Sequence, residues 1–379
     1  MSSVPPLQGG FATSEGTRRY AARFVGRAAE GHFREAPGAP GLMLSSLGVG
    51  TYLGNPDART DQAYAEAVVA AVSGGINVLD SAINYRFQRG ERAIATALRK
   101  LAEAGFRREE LVICTKGGYL TPDGDTPDNP SDYFFREYIE AGILRVNDIV
   151  AGCHAMTPRY LADQLERSRR NLGVDCIDVY YLHNPETQRS SVPPEEFRNR
   201  MRAAFEFLES AAAAGRIRMY GLATWNAFRQ PENAPDYMSL GEMESVATEV
   251  AGERHHFRFV QMPFNLGMTE ALTRANQSLD TRCVPLMEAA RALGMTLVAS
   301  ASLLQGQVAR NLPRFVAEVL GLESDVHRAL QFARSGPGIT TALVGMSRLE
   351  HVRENLKLVS VPPASQEQFS RLFERGEPA

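Results

Sequence analysis

Four side chains in the first half of the sequence could together move a proton to or from a carbonyl group. Asp80 and Tyr85 follow the second of several short apolar runs, Lys116 ends the third and His183 ends the fourth. A phenol has a pKa of about 10 unless its surroundings change that value. A nearby ammonium lowers the pKa of a phenol, and a carboxylate keeps the ammonium charged. A histidine can polarise a carbonyl oxygen, so this set predicts acid–base chemistry at a carbonyl.

A carbonyl reduction also needs a hydride, which no side chain supplies, so a nicotinamide or flavin cofactor is implied. Each residue has an ordinary interpretation as well. Asp80 could cap an element, Tyr85 could be a loop aromatic, and Lys116 could be a solvated strand end. His183 could be a hydrogen-bonded core histidine. Their joint position at the ends of neighbouring apolar runs favours a shared site.

Eight short apolar segments alternate with longer amphipathic ones along the sequence. The predicted strands are Met43–Thr51, Ile76–Asp80, Glu110–Lys116, Ile177–His183, Ile217–Thr224, Phe257–Phe264, Met295–Ser300 and Thr340–Gly345. Eight strand–helix units predict an α/β fold, a closed (β/α)8 TIM barrel with functional residues at the carboxyl ends of its strands. The open dinucleotide-binding sheet needs G-x-G-x-x-G after the first strand, and the spacing after Gly48 and Gly50 does not match.

The two ends of the chain and one long connection depart from this alternation. Residues 1–40, rich in proline and arginine, predict an N-terminal extension that is helical around 17–30 and otherwise poorly packed. Residues 41–379 are predicted as a single barrel domain with a long loop after the third strand, at about 118–156. A connection of that length is typical of a functional lid. Its aromatic residues predict a helix and an apolar cavity mouth: Tyr133, Phe134, Phe135 and Tyr138.

Composition excludes several classes of protein. Hydrophobic residues make up 44% and charged residues 22% of the 379 positions, which is ordinary globular composition. The net charge of −3 gives no basic excess for nucleic acid, and no apolar run approaches the ~18 residues of a membrane span. The four cysteines form neither a metal motif nor a disulfide framework. We therefore expect a cytoplasmic protein that uses no metal and acts on a small molecule, with its oligomeric state open.

The sequence resembles the aldo-keto reductase superfamily over roughly residues 42–360. The resemblance rests on the motifs Gly75–Tyr85, Cys114–Lys116, Asp175–His183, Tyr220–Trp225, Val260–Asn265, Ser302–Gly306 and Leu343–Asn355. It implies that Tyr85 is the general acid, that Lys116 and Asp80 tune it, and that His183 orients the carbonyl. It also implies NADPH, with NADH possible, as the cofactor.

The resemblance also implies which residues hold that cofactor. Gln261 would hold the nicotinamide carboxamide, and Ser347 and Arg348 would meet an adenosine 2′-phosphate. The whole implied set is Gly50, Thr51, Thr224, Trp225, Gln261, Ser300, Ser302, Leu303, Gln305, Gly345, Ser347, Arg348, Glu354 and Asn355.

Some positions depart from the family pattern near the nicotinamide. Ala223 and Thr224 stand where the family often has Ser-Asn, and Ser300 stands where it has a stacking aromatic. Trp225 could supply the missing stacking surface. These departures leave two alternatives open: a barrel that retains its cofactor without net redox chemistry, of the epimerase or lyase type, and a non-catalytic subunit that senses the cofactor. The substrate and the physiological direction stay open.

Overall fold

The protein folds into a closed barrel of eight parallel strands, described by a computed structural model over residues 7–279 and 281–374. Residues 1–6 of the predicted extension, residue 280 and residues 375–379 of the predicted barrel domain lie outside the described residues. The strands, each paired with the next and the last with the first, are β1 Leu47–Gly50, β2 Val78–Asp80, β3 Val112–Gly117, β4 Ile177–His183, β5 Ile217–Ala223, β6 Phe257–Pro263, β7 Thr296–Ser300 and β8 Ile339–Gly345. The predicted (β/α)8 barrel is therefore confirmed.

The first predicted strand, Met43–Thr51, is wrong as a single element. Residues Ala39–Ser45 pair antiparallel with Phe33–Ala36 in a hairpin, and the chain bends at Ser46 before it enters β1. The apolar run continues through the bend, so the hydrophobic pattern gives no sign of it. The predicted strand therefore joins two strands that belong to different sheets.

Helices surround the barrel and begin at residues that cap them. Asp57 accepts a hydrogen bond from the Thr60 amide, and Thr157 does the same for Tyr160. The main helices are Ala58–Ser73, Arg89–Glu103, Pro158–Leu172, Pro194–Ala213, Leu240–Ala251, Leu286–Ala292, Arg314–Leu320, Asp325–Ser335 and Leu349–Leu356. The remaining α-helices are Ser14–Ala22 in the N-terminal extension and four of four or five residues, Pro130–Phe134, Glu186–Arg189, Glu270–Thr273 and Gln366–Ser370. A second hairpin joins Ala275–Leu279 to Arg282–Pro285. No helix within 7–279 and 281–374 has both the length and the apolar character to cross a bilayer; a cytoplasmic location stays a prediction.

The N-terminal extension is packed against the barrel, and the expectation of a poorly packed terminus is wrong for residues 7–40. Its helix spans Ser14–Ala22. Tyr20 near the end of the helix and Phe24 in the turn just beyond it are both buried in the main core. Two aromatics four residues apart bury enough apolar area to hold a short helix in place. The predicted boundary after residue 40 falls inside the strand Ala39–Ser45, and the division into extension and barrel domain stays a prediction.

The long connection after β3 contains its own small core. Tyr138 is buried against Leu144, Ala155 and Tyr160, and its hydroxyl donates to the Thr121 carbonyl at 3.1 Å. The predicted helix occurs at Pro130–Phe134. The prediction that these aromatics line the cavity mouth is wrong, because none of the four lies on the cavity wall. Phe134 and Tyr138 pack into the small core with Tyr160, and the Phe135 side chain is about half exposed.

Candidate active site

The carboxyl ends of the barrel strands enclose a cavity of about 830 Å³. Most of the predicted site residues share this cavity, which agrees with the rule that parallel barrels place function at this end. Those on its wall are Gly50, Asp80, Tyr85, His183, Thr224, Trp225, Gln261, Ser300, Ser302, Leu303, Gln305, Gly345, Glu354 and Asn355.

Three of the four residues predicted for acid–base chemistry, Asp80, Tyr85 and His183, line the floor of the cavity, and Lys116 is buried against the first two. Lys116 Nζ is 2.5 Å from Asp80 Oδ1 and 4.8 Å from the centre of the Tyr85 ring. The Tyr85 and His183 rings meet edge to face with 5.8 Å between their centres. For Asp80, Lys116 and His183 this proximity follows from the barrel itself, because neighbouring parallel strands β2, β3 and β4 bring the residues at or next to their carboxyl ends to one edge. Each of these side chains is therefore close enough to influence the charge state of its neighbours.

Burial dominates the pKa of Tyr85. Enclosure raises the pKa of the phenol above its ordinary value of 10.0, and the Lys116 ammonium only partly opposes that rise. The expectation that lysine would lower the pKa is therefore wrong in its net direction, although the lysine acts in the expected sense. Burial lowers the pKa of Lys116, but the Asp80 carboxylate and Tyr85 together more than offset this effect, and the net pKa is raised. Tyr85 is thus a protonated phenol beside a charged ammonium at neutral pH.

His183 is a neutral imidazole with an open hydrogen-bonding position. Burial and the nearby Lys116 charge hold its pKa well below 6.5. Among the described residues, its buried Nδ1 has no hydrogen-bond partner. Behind it, the Tyr119 ring packs edge to face at 5.0 Å, and His154 Nε2 lies 2.8 Å from the His183 carbonyl oxygen. These contacts hold the imidazole without charging it.

Gln261 contacts the acid–base set directly. Its Nε2 donates to Asp80 Oδ2 at 2.9 Å, so both oxygens of the Asp80 carboxylate are engaged. Burial raises the pKa of Asp80, and Lys116 and Gln261 oppose that rise. The residue predicted for the nicotinamide carboxamide therefore also orients the carboxylate beneath it.

The cavity fits a long, polar cofactor. Among the described residues, the buried Thr224 Oγ1 and Ser302 Oγ on its wall have no protein partner. Buried hydroxyls in folded proteins are normally hydrogen-bonded, so two unpaired ones on one wall fit a polar ligand. The same wall reaches Glu354 and Asn355. The resemblance implies that these two residues contact the adenine of the cofactor.

Three predicted cofactor residues lie off the cavity wall. Thr51 Oγ1 is hydrogen-bonded to Ser81 Oγ at 2.9 Å, which places it under the floor. Ser347 and Arg348 line a neighbouring depression with Arg353, outside the main cavity. Their assignment to a 2′-phosphate stays a prediction.

Sequence reasoning gave no individual cofactor or substrate role to several wall residues, although Tyr119 and Arg310 fall within two segments that it expected to build the substrate pocket, the loop at 118–156 and the turn near Leu303–Arg310: Tyr52, Asn84, Tyr119, Asn184, Arg310 and His351. Arg310 follows Gln305 by five positions in the loop after β7, and a cation in that loop was the available signal. The others lie in connections whose direction depends on the folded chain.

The fold and site define a class: a (β/α)8 barrel whose strand ends hold a carboxylate, an ammonium, a phenol and a neutral imidazole beside a cofactor-sized cavity. The family model described as the Aldo/keto reductase family matches residues 46–375. The chain belongs to the aldo/keto reductase family.

Individual relatives are distant. The chain is 25% identical over 214 residues to an NADH-specific methylglyoxal reductase of Escherichia coli, covering 55% of this chain and 56% of that protein. It is 24% identical over 342 residues to a probable voltage-gated potassium channel subunit beta of Arabidopsis thaliana, covering 86% and 90%. The chain spans about half the length of the first curated relatives it matches, 56% and 43%.

A solved structure is similar in fold. An aldo/keto reductase from Klebsiella pneumoniae in complex with NADP and acetate has a TM-score of 0.57 at 18% identity, covering 87% of this chain and 91% of that one. This likeness supports the (β/α)8 barrel fold.

Proposed function

We propose that the protein uses NADPH to reduce an aldehyde or ketone to an alcohol, or catalyses the reverse reaction, with NADH as the possible second cofactor. The observation that supports this proposal best is that Lys116 contacts both Asp80 and the face of the Tyr85 ring, beside a neutral His183. The NADP in the Klebsiella pneumoniae structure and the methylglyoxal reductase among the relatives support the cofactor and the reaction type.

The chain's own residues would bind the cofactor along one wall. Thr224, Ser302 and Gln261 offer polar atoms near the catalytic floor, and Trp225 offers an aromatic face. Arg310 lines the cavity and is the one arginine among the described residues of its wall, so it is suited to a phosphate anion. When bound, the cofactor supplies the hydride that side chains cannot provide.

Tyr85 would donate the proton in reduction. His183, neutral and only partly buried, would hydrogen-bond the substrate oxygen and bring it to the phenol. Lys116 would stabilise the phenolate that remains after the proton leaves Tyr85 Oη, because its ammonium already lies over that ring. Asp80 would hold Lys116 in place. In the oxidation direction the same phenolate would accept the proton of the alcohol.

The substitution Tyr85→Phe tests this proposal. We expect NADPH oxidation with methylglyoxal or another small carbonyl to fall by about a thousandfold, the middle of the range for losing a general acid. Binding of NADPH, followed through the fluorescence of Trp225, should stay near the wild-type value because the ring remains. Tyr133→Phe, in the long loop away from the cavity, is the matched control and should keep full activity.

The same assay separates the alternatives. Turnover that persists in Tyr85→Phe would remove the phenol from the mechanism. A wild-type protein that keeps bound cofactor through purification and consumes none with any carbonyl would favour the chemistry without net redox. The channel subunit among the relatives is a reason to test the cofactor-sensing alternative as well. That alternative predicts a protein that binds the cofactor and converts no substrate of any kind.

A further inference from the structure

Three successive residues after Tyr85 adopt a left-handed backbone. Arg86, Phe87 and Gln88 have φ values of 49°, 55° and 71°. Residues with a Cβ rarely adopt this conformation, and three in a row are strained unless the surrounding structure holds them. The turn connects Tyr85 to the helix Arg89–Glu103, so its shape fixes where the Tyr85 side chain points.

The Arg86 side chain ties this turn to the helix Ala58–Ser73. The guanidinium is buried, and its Nη1 lies 2.6 Å from Asp61 Oδ1. It also stacks 4.8 Å above the ring of Tyr64, and Nη1 is 3.4 Å from the Asn55 carbonyl oxygen. A buried arginine with an ion pair, a stacked ring and a carbonyl has little freedom to move.

The turn also joins two loops at the cavity. On one side, the Tyr64 hydroxyl donates to the Leu53 carbonyl at 2.8 Å, and the Tyr52 ring meets the Tyr85 ring at 5.0 Å. On the other side, the Gly124 amide donates to the Phe87 carbonyl at 2.9 Å. The strained segment is therefore held from both sides next to the phenol.

We propose that Arg86 is a positioning residue, which holds the left-handed turn so that Tyr85 faces Lys116 and His183. This rests on the proposed function, in which Tyr85 donates the proton. Arg86 lies outside the cavity wall and acts only through the turn. Glycine would adopt φ 49° without steric cost, whereas arginine does not. The ion pair with Asp61 and the stacking on Tyr64 offset that cost.

Two substitutions separate backbone strain from side-chain anchoring. Arg86→Gly accepts the left-handed backbone but loses the anchor, and Arg86→Lys keeps a charge that reaches Asp61. We expect kcat of Arg86→Gly with NADPH and methylglyoxal to fall by about 10- to 100-fold, because small displacements of a catalytic group cost rates of that order. The KM for NADPH should stay near wild type, and Arg86→Lys should recover part of kcat.

Arg89→Ala is the matched control. Arg89 Nη1 donates to Asp61 Oδ2 at 2.7 Å, so it shares the same carboxylate but begins the helix beyond the strained turn. We expect kcat of Arg89→Ala near wild type. An equal loss in Arg89→Ala and Arg86→Gly, or a wild-type kcat in Arg86→Gly, would overturn the proposal.

A second measurement does not depend on turnover. In protein labelled with 3-fluorotyrosine, the Tyr85 fluorine resonance is assigned through Tyr85→Phe. We expect it to shift or broaden in Arg86→Gly and to stay unchanged in Arg89→Ala, with both variants folded by circular dichroism. If the wild type converts no carbonyl, the proposed function fails, and the resonance alone decides the role of Arg86. An unchanged Tyr85 resonance in a folded Arg86→Gly variant would overturn the proposal that Arg86 positions Tyr85.

Discussion

Two buried ion pairs lie at opposite ends of the same barrel and differ in what surrounds them. Arg108 Nη2 is 2.7 Å from Asp178 Oδ2 near the amino end of β4, and Lys116 Nζ is 2.5 Å from Asp80 Oδ1 at the carboxyl ends of β2 and β3. Both pairs are almost fully enclosed. Similar geometry thus occurs where the barrel is sealed and where it opens into the cavity.

The Arg108–Asp178 pair at the sealed end is hydrogen-bonded to backbone amides. The Lys116–Asp80 pair at the open end contacts side chains on the floor of the cavity. Asp178 also accepts the amides of Ala12, from the N-terminal extension, and Ile113, from β3. Asp80 accepts instead from Gln261 on the cavity wall, and Lys116 faces the Tyr85 ring. We infer that the first pair fixes the extension to the barrel and that the second sets the charge of the site.

The largest effect on stability is expected at the sealed end. Asp178→Ala leaves Arg108 buried without its carboxylate and removes the acceptor of two amides, so we expect a loss of about 3–5 kcal/mol in the free energy of unfolding. Urea denaturation measures it, and the remaining folded protein should keep the wild-type kcat. The exposed Asp132→Ala is the control. A stability equal to wild type, or a selective loss of kcat, would break the comparison.

At the open end we expect the opposite balance. Lys116→Met removes the cation over the Tyr85 ring, and kcat for carbonyl reduction should fall by about 100- to 1000-fold. Its loss of stability should be smaller than that of Asp178→Ala, because burial already raises the pKa of Asp80 and the carboxyl can take up a proton. Lys100→Met, on a helix surface, should match wild type in both assays. A stability loss as large as that of Asp178→Ala, or an unchanged kcat, would contradict the functional reading of this pair.

The smallest expected effect is a pH dependence of stability shared by both ends. Burial lowers the pKa of His32, near the N-terminal hairpin, and of His154, behind His183, from 6.5 to about 4. The unfolded chain therefore binds protons between pH 6.5 and 4 that the folded chain does not, and stability is fully present above pH 6.5 and lost as pH falls toward 4.

Each histidine contributes at most about 3 kcal/mol to this loss, at 1.36 kcal/mol per pKa unit. Urea midpoints from pH 7.5 to 4.5 should fall less steeply in His32→Gln and in His154→Gln than in wild type. The exposed His351→Gln should follow the wild-type curve. Parallel curves for all four proteins would show that neither buried histidine governs this range.

The positions of Asp80, Lys116 and His183 could be predicted from the sequence because each stands at the end of a strand or one residue before it. Strand ends in a parallel barrel meet at one edge, so eight apolar segments fix the place of a terminal residue before any side-chain contact is known. Tyr85 is five residues beyond Asp80. Its position could be predicted on the single assumption that the loop after β2 folds back over the floor of the cavity. The family resemblance supplied the roles.

The remaining features depend on contacts that a hydrophobic pattern does not encode. Tyr20 and Phe24 look like scattered aromatics in a polar terminus until the barrel surface that buries them is present. Tyr138 finds its partners within its own loop and on the helix that follows it, so an aromatic run near a cavity does not establish a cavity wall. The left-handed turn from Arg86 to Gln88 contains no glycine, and its shape comes from tertiary contacts.

The most direct test of the account follows the hydrogen itself. Purified wild-type protein and Tyr85→Phe would each be given methylglyoxal and NADPH labelled with deuterium at the ring position that transfers hydride, and the product would be examined by mass spectrometry. We predict an alcohol that carries deuterium at the former carbonyl carbon in the wild type, with equal consumption of NADPH, and almost none in Tyr85→Phe. Alcohol without deuterium, or equal labelled product from both proteins, would contradict the central claim that Tyr85 protonates the carbonyl as the cofactor reduces it.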